Sequence, residues 1–148
     1  MIGRLILVLL ILSGCHLGHP PPSARFTLGP FSTLAAEPGL DESVRRHLTA
    51  ALARREALGQ GSTVAVSVLD ADTGLVASSS VRVVYEARLS LSVVLTGPAP
   101  RQVVLSGRRT YQAASPLAAS AARAAAFDVL AKELMSDAAD WLLLSEQP

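Results

Sequence analysis

In VRVVYEARLSLSVVL, residues 81–95, every odd position is apolar or aromatic: Val81, Val83, Tyr85, Ala87, Leu89, Leu91, Val93 and Leu95. The even positions carry Arg82, Glu86, Arg88, Ser90 and Ser92, interrupted only by Val84 and Val94. A period of two puts successive side chains on opposite faces, so this stretch reads as a long strand with one face buried and one mostly wet. Gly97-Pro98-Ala99-Pro100 then makes a hairpin loop, and residues 102–111 form the return strand on Val103 and Leu105, with Gly107 as a bulge. Pro116 opens a long helix, where a missing N–H costs little. Its first half is dense in alanine, and its second half places Phe127, Leu130, Leu134, Ala138 and Trp141 at spacings of three and four.

Upstream, residues 63–69 alternate on Val64, Val66 and Val68, and Asp70-Ala-Asp72-Thr-Gly74 follows as a turn signal. Residues 41–58 repeat Val44, Leu48, Ala51 and Leu52 at helical spacing, with Asp41 as a cap and Gly59 as a C-terminal glycine. Residues 25–32 have the apolar content of a strand, and Gly29-Pro30 restricts it to an edge or a bend. The order is β-α-β-β-β-α, an α+β fold with a mainly antiparallel four-stranded sheet and two helices packed on one face. The other sheet face reads as polar or semi-polar and is left for a partner.

The first residues have a different purpose. Arg4 and the apolar run of residues 5–12 form a secretory leader, because eight apolar residues are too few to cross a hydrocarbon core that needs about 20. Leu12-Ser13-Gly14-Cys15 looks like the lipobox of bacterial lipoproteins, with cleavage between Gly14 and Cys15 and lipid attachment at Cys15. An ordinary secreted protein with a lone cysteine at this place is the bland alternative. The chain divides into a signal peptide (1–14), a lipidated Pro-rich tether (15–24) and a single domain (25–148). Pro20, Pro21 and Pro22 stiffen the tether, and His16 and His19 lack a third ligand nearby, so they read as solvated spacer rather than a metal site. His16 rather than aspartate after the lipidated cysteine points, by the sorting rule of enteric-type bacteria, to the outer membrane on its periplasmic side.

Among the 148 residues, 13 are Lys or Arg and 12 are Asp or Glu, for a formal charge of +1. The arginines are scattered as pairs, so no basic face for nucleic acid forms. One cysteine excludes an internal disulfide and a cysteine-built zinc site. No catalytic constellation is visible: there is no Gly-x-Ser-x-Gly elbow, HExxH or phosphate loop. Asp70 and Asp72 lack the glycine and glutamate spacing of a calcium loop, and Glu133, Asp137 and Asp140 read as a solvated helix face. No enzyme, metal or cofactor is expected.

Several segments in order resemble the lipopolysaccharide-assembly lipoprotein family LptE. Residues 40–48, LDESVRRHL, resemble its first helix, and residues 84–93, VYEARLSLSV, its long central strand. Arg109-Thr-Tyr111, then Ser115-Pro-Leu117-Ala and the alanine-rich helix, are similar to its last strand and helix. The resemblance implies a non-enzymatic subunit that plugs and helps assemble the outer-membrane β-barrel LptD and contacts lipopolysaccharide, with Arg82 and Arg123 as the nearest candidate contacts. An auxiliary lipoprotein of an ABC-type lipid transporter is the alternative, and a periplasmic enzyme or small-ligand binder a third.

Overall fold

A computed structural model describes residues 24–35, 37–79 and 82–146. The leader, Cys15 with residues 16–23 of the tether, and Val81 lie outside the described residues. Six elements follow in order: β1 (Phe26–Thr33), α1 (Leu40–Arg54), β2 (Ser62–Ser78), β3 (Val83–Thr96), β4 (Arg101–Ala113) and α2 (Pro116–Ser145). The sheet order is β1-β2-β3-β4, with β2, β3 and β4 antiparallel and β1 parallel to β2. The sheet is therefore mixed, because α1 carries the chain back across before β2 begins, and only a crossover can join parallel neighbours.

One core lies between the sheet and the helices. Val64, Val66, Val68, Leu89, Leu91, Val93 and Leu95 face Val44, Leu48 and Leu52 of α1 and Phe127, Leu130, Met135 and Leu142 of α2, all buried. Trp141 stays at the margin of this cluster, only partly buried. Gly29-Pro30 falls at a register shift between Leu28 and Phe31, as an edge strand containing proline requires.

Residues 70–74 do not turn. They continue β2, with Asp70 opposite Ser90, Asp72 opposite Arg88 and Gly74 opposite Glu86. The long β3 supplies a ladder for every one of these residues, and that outweighs their local turn preference. A shift between Val68 and Asp70 makes the extension possible. Inward positions are even up to Val68 and odd from Ala71, whose partner is the buried Leu89. Without the extra residue both aspartates would face the core. The reversal comes instead at Ser79 and Arg82, where the Ser79 N–H donates to the Arg82 carbonyl at 2.9 Å.

Three other expectations are corrected. Gly107 pairs with Leu89 in an unbroken register rather than forming a bulge. A Cβ at Gly107 would lie 3.1 Å from Leu130 Cδ2, so glycine there lets α2 approach the sheet closely. The N-cap of α1 is Gly39 at φ 74°, with no side-chain cap, while Asp41 and Glu42 sit in the first turn, where the helix dipole favours them. Its C-terminus comes at Arg54, earlier than Leu58. Glu56 takes φ 54°, the Ala57 N–H donates to Leu52 O and the Glu56 N–H to Ala53 O, each at 3.0 Å, which is a Schellman closure without glycine. The residues beyond are held by β1: Phe26 N–H donates to Ala57 O at 2.8 Å, and Gly59 N–H to Phe26 O at 3.0 Å.

Candidate functional site

The even positions of β3 and their neighbours on β2 and β4 face away from both helices and form an open surface rich in hydroxyls. Ser32 and Ser67 join through their hydroxyls at 2.9 Å, Ser90 pairs with Ser106, and Gln102 covers the buried Ser92, its Nε2 donating to Ser92 Oγ at 2.9 Å. Alternation places these groups here because a sheet with helices on one side must present its other pleat to solvent or a partner. Asp70, Arg88, Ser90, Ser106 and Arg108 border a shallow concavity of about 440 Å³ on this face. Arg88 donates to Glu86 Oε1 at 2.7 Å, and that carboxylate raises the guanidinium pKa above its ordinary value. Arg108 stands directly opposite Arg88 and has no ion-pair partner among the described residues. The surface can form hydrogen bonds and ion pairs, and nothing on it is arranged as a nucleophile with a base.

Of the two arginines singled out from sequence, Arg82 is exposed at the β2–β3 connection, with its backbone N–H donating to Ser79 Oγ at 3.1 Å. Arg123 is on α2 and belongs to the helix layer. It reaches Glu37 Oε2 at 2.5 Å, lies 5.8 Å from the Phe127 ring centroid and keeps a buried Nε without a hydrogen-bond partner. The pair is not brought together in one site, and Arg123 already clamps the β1–α1 connection to α2. Cys15 and Gly14 lie outside the described residues.

The helix layer is locked by a second cluster that the sequence does not announce. Asp128 Oδ1 accepts from Ser43 Oγ at 2.6 Å, Arg46 Nη2 at 2.6 Å and His47 Nε2 at 3.0 Å, tying α1 to α2. The Ser43 hydroxyl first, then the His47 ring, with smaller charge effects from His47 and Arg46, hold this carboxyl below the ordinary carboxylate range against an opposing desolvation. A folded-state value below the unfolded one means the contribution is fully present above the ordinary carboxylate range and lost as pH falls through the lowered value. Asp128→Asn should therefore be less stable than the native chain at neutral pH, with the gap closing in acid. Urea midpoints across that range measure it, and a gap that stays constant would show that another group carries the linkage. Of the acidic residues on the outer face of α2, Glu133 meets Arg109 at 3.4 Å and Asp140 meets Arg55 at 2.7 Å, so two of them are staples.

The family model for LptE, described as lipopolysaccharide-assembly, matches residues 24–144. The chain belongs to the LptE family. That assignment covers both helices and all four strands, and it makes the chain a lipopolysaccharide-assembly lipoprotein in the coarse sense that the LptE family shares. Solved structures share the fold. A candidate lipoprotein from Caulobacter crescentus CB15 matches at 22% identity and TM-score 0.56, over 78% of this chain and 91% of that one. A protein from Xanthomonas campestris assigned to the family DUF330 matches at 14% identity and TM-score 0.63, over 87% and 89%. A minor lipoprotein from Acinetobacter baumannii matches at 12% identity and TM-score 0.55, over 84% and 100%. At such identities a shared fold is what these matches establish. A comparison with curated proteins gives no match. Among the described residues no helix is long and apolar enough to cross a membrane.

Proposed function

We propose that this chain is a non-enzymatic lipoprotein of the outer membrane that fills the lumen of the β-barrel LptD, assists its assembly and accompanies lipopolysaccharide to the cell surface. In this reading the leader is cut between Gly14 and Cys15, and acyl chains on Cys15 hold the domain on the periplasmic side through the tether. The observation that carries the proposal is the open, hydroxyl-rich sheet face on a two-layer domain whose core lies between the other sheet face and the helices. The interior of a wide outer-membrane barrel is polar, and such a face can meet it with hydrogen bonds from its hydroxyls and ion pairs from its charged side chains.

Arg82 is the better candidate for lipopolysaccharide phosphate than Arg123. It is exposed, whereas Arg123 is committed to Glu37. A guanidinium free to present two N–H groups matches a phosphate.

Affinity capture of the chain from detergent-extracted membranes is expected to bring down a large outer-membrane barrel. Depletion is expected to lower mature barrel and surface lipopolysaccharide together. Recovery of the lipoprotein alone would oppose the proposal, and recovery with periplasm-spanning transporter subunits would favour an auxiliary transport lipoprotein.

A further inference from the structure

We propose that the outer half of β2 is a strand-addition edge that accepts an extended polypeptide segment bearing basic side chains at alternate positions. β1 ends at Thr33, opposite Val68, and the last main-chain bond from that side is Leu34 N–H to Val68 O at 3.0 Å. β2 continues to Ser78, paired with β3 on one side only. Among the described residues no main-chain group meets its other side beyond Val68. Residues 70–75 pair with β3 in regular register between two shifts, one at each end, so the free edge is straight over six residues. That is the length of an ordinary strand.

The side chains along this edge argue for occupancy. Seven large apolar residues of the described chain are exposed, and four of them, Leu34, Leu69, Leu75 and Val76, lie on this border. Register shifts and charge are devices that blunt an edge, but here they flank exposed leucine and valine side chains that a guest strand would cover. Leu75, 64% exposed, is on the helix side beside its cross-strand partner Tyr85.

Charge selects the occupant. Asp70 and Asp72 stand two apart on the open face of the edge; both feel the charge of Arg88, which Asp72 faces on β3, but among the described residues neither forms a close ion pair. The neighbouring Arg88 makes its close ion pair with Glu86. A guest strand with Lys or Arg at alternate positions would satisfy both carboxylates across the new pair. A second copy of this edge brings the same acids and complements nothing. The tether leaves the domain beside Phe26, at the opposite end of β1 from Thr33. Placing the guest segment in the barrel rests on the function proposed above, whereas the edge itself does not.

The test uses the full chain in its own membrane, with a photo-crosslinking side chain in place of Leu75 and, as control, of Asp137. Leu75 is expected to link to a barrel segment whose mapped sequence alternates basic residues. Asp70→Arg with Asp72→Arg should cut that yield about tenfold, and Asp70→Asn with Asp72→Asn should lie between. Circular dichroism of each variant verifies that the sheet is intact. If the barrel co-purifies but Leu75 links to nothing, to residues 15–23 or to a second copy, the edge proposal fails and the barrel reading stands. If Leu75 links, with the same charge dependence, to an extended basic segment of a different protein, the edge proposal holds and the barrel reading fails.

Discussion

Cys15→Ala is expected to release the protein from its anchor, with complete loss of palmitate incorporation and retention of the leader. Each methylene withdrawn from water contributes ~0.8 kcal/mol, so one acyl chain holds a protein only reversibly while several together hold it almost permanently. The remaining apolar run, residues 5–12, is too short to replace them as a spanning anchor. Alanine keeps a small residue at the cleavage position, so the change removes the thiol nucleophile without altering size or polarity elsewhere. Metabolic labelling, intact mass and membrane fractionation measure the outcome. Labelled palmitate on the Cys15→Ala protein, or a native chain that is unlabelled, would sink the lipoprotein reading for this residue. The folded domain should be unaffected, because Cys15 precedes the first strand in sequence and the core begins at Phe26.

How much of this was legible beforehand depends on whether a signal is local. The central strand was legible because its odd positions are apolar without a break and that face is wide enough to need a helix layer. The two helices and their order followed from periodicity as well. The second half of β2 was not legible. Asp70-Ala-Asp72-Thr-Gly74 carries turn residues in turn order, and only the partner residues 86–90 on β3 make it a strand. The end of α1 was misplaced for a similar reason: residues 55–58 contain no breaker, yet Phe26, about thirty positions earlier, captures Ala57 and Gly59. The polar face could be anticipated from the even-numbered serines of β3. The free edge could not, since it exists only because β1 stops opposite Val68. The Asp128 cluster was equally hidden, because its donors on α1 lie more than eighty residues away in sequence.

The same distinction between local preference and tertiary contact sets the last expected result. Gly61→Ala should destabilise the domain by about 3 kcal/mol, the upper end for forced overpacking. A Cβ at Gly61 would sit 1.8 Å from the Arg25 carbonyl oxygen and 2.7 Å from its carbon, and neither atom can rotate away as a side chain would. The backbone of β1 must therefore move, and with it the Thr27 Oγ1 bonds to Gly59 O at 3.0 Å and from Gly61 N–H at 3.3 Å. Phe26, fully buried, is fixed by the same seam. Against a total stability of ~5–15 kcal/mol this is a large fraction, and it corresponds to a fall in Tm of roughly 10 °C for a domain of this size. Gly74→Ala is the matched control. Nothing lies within 4 Å of a Cβ there, so the same methyl group on a β2 glycine should change stability by no more than about 0.5 kcal/mol. Thermal and urea unfolding of the two variants side by side measure the contrast. Equal effects at both positions would mean that β1 is not pressed against the α1–β2 connection, and the parallel pairing that makes the outer half of β2 an open edge would lose its physical basis.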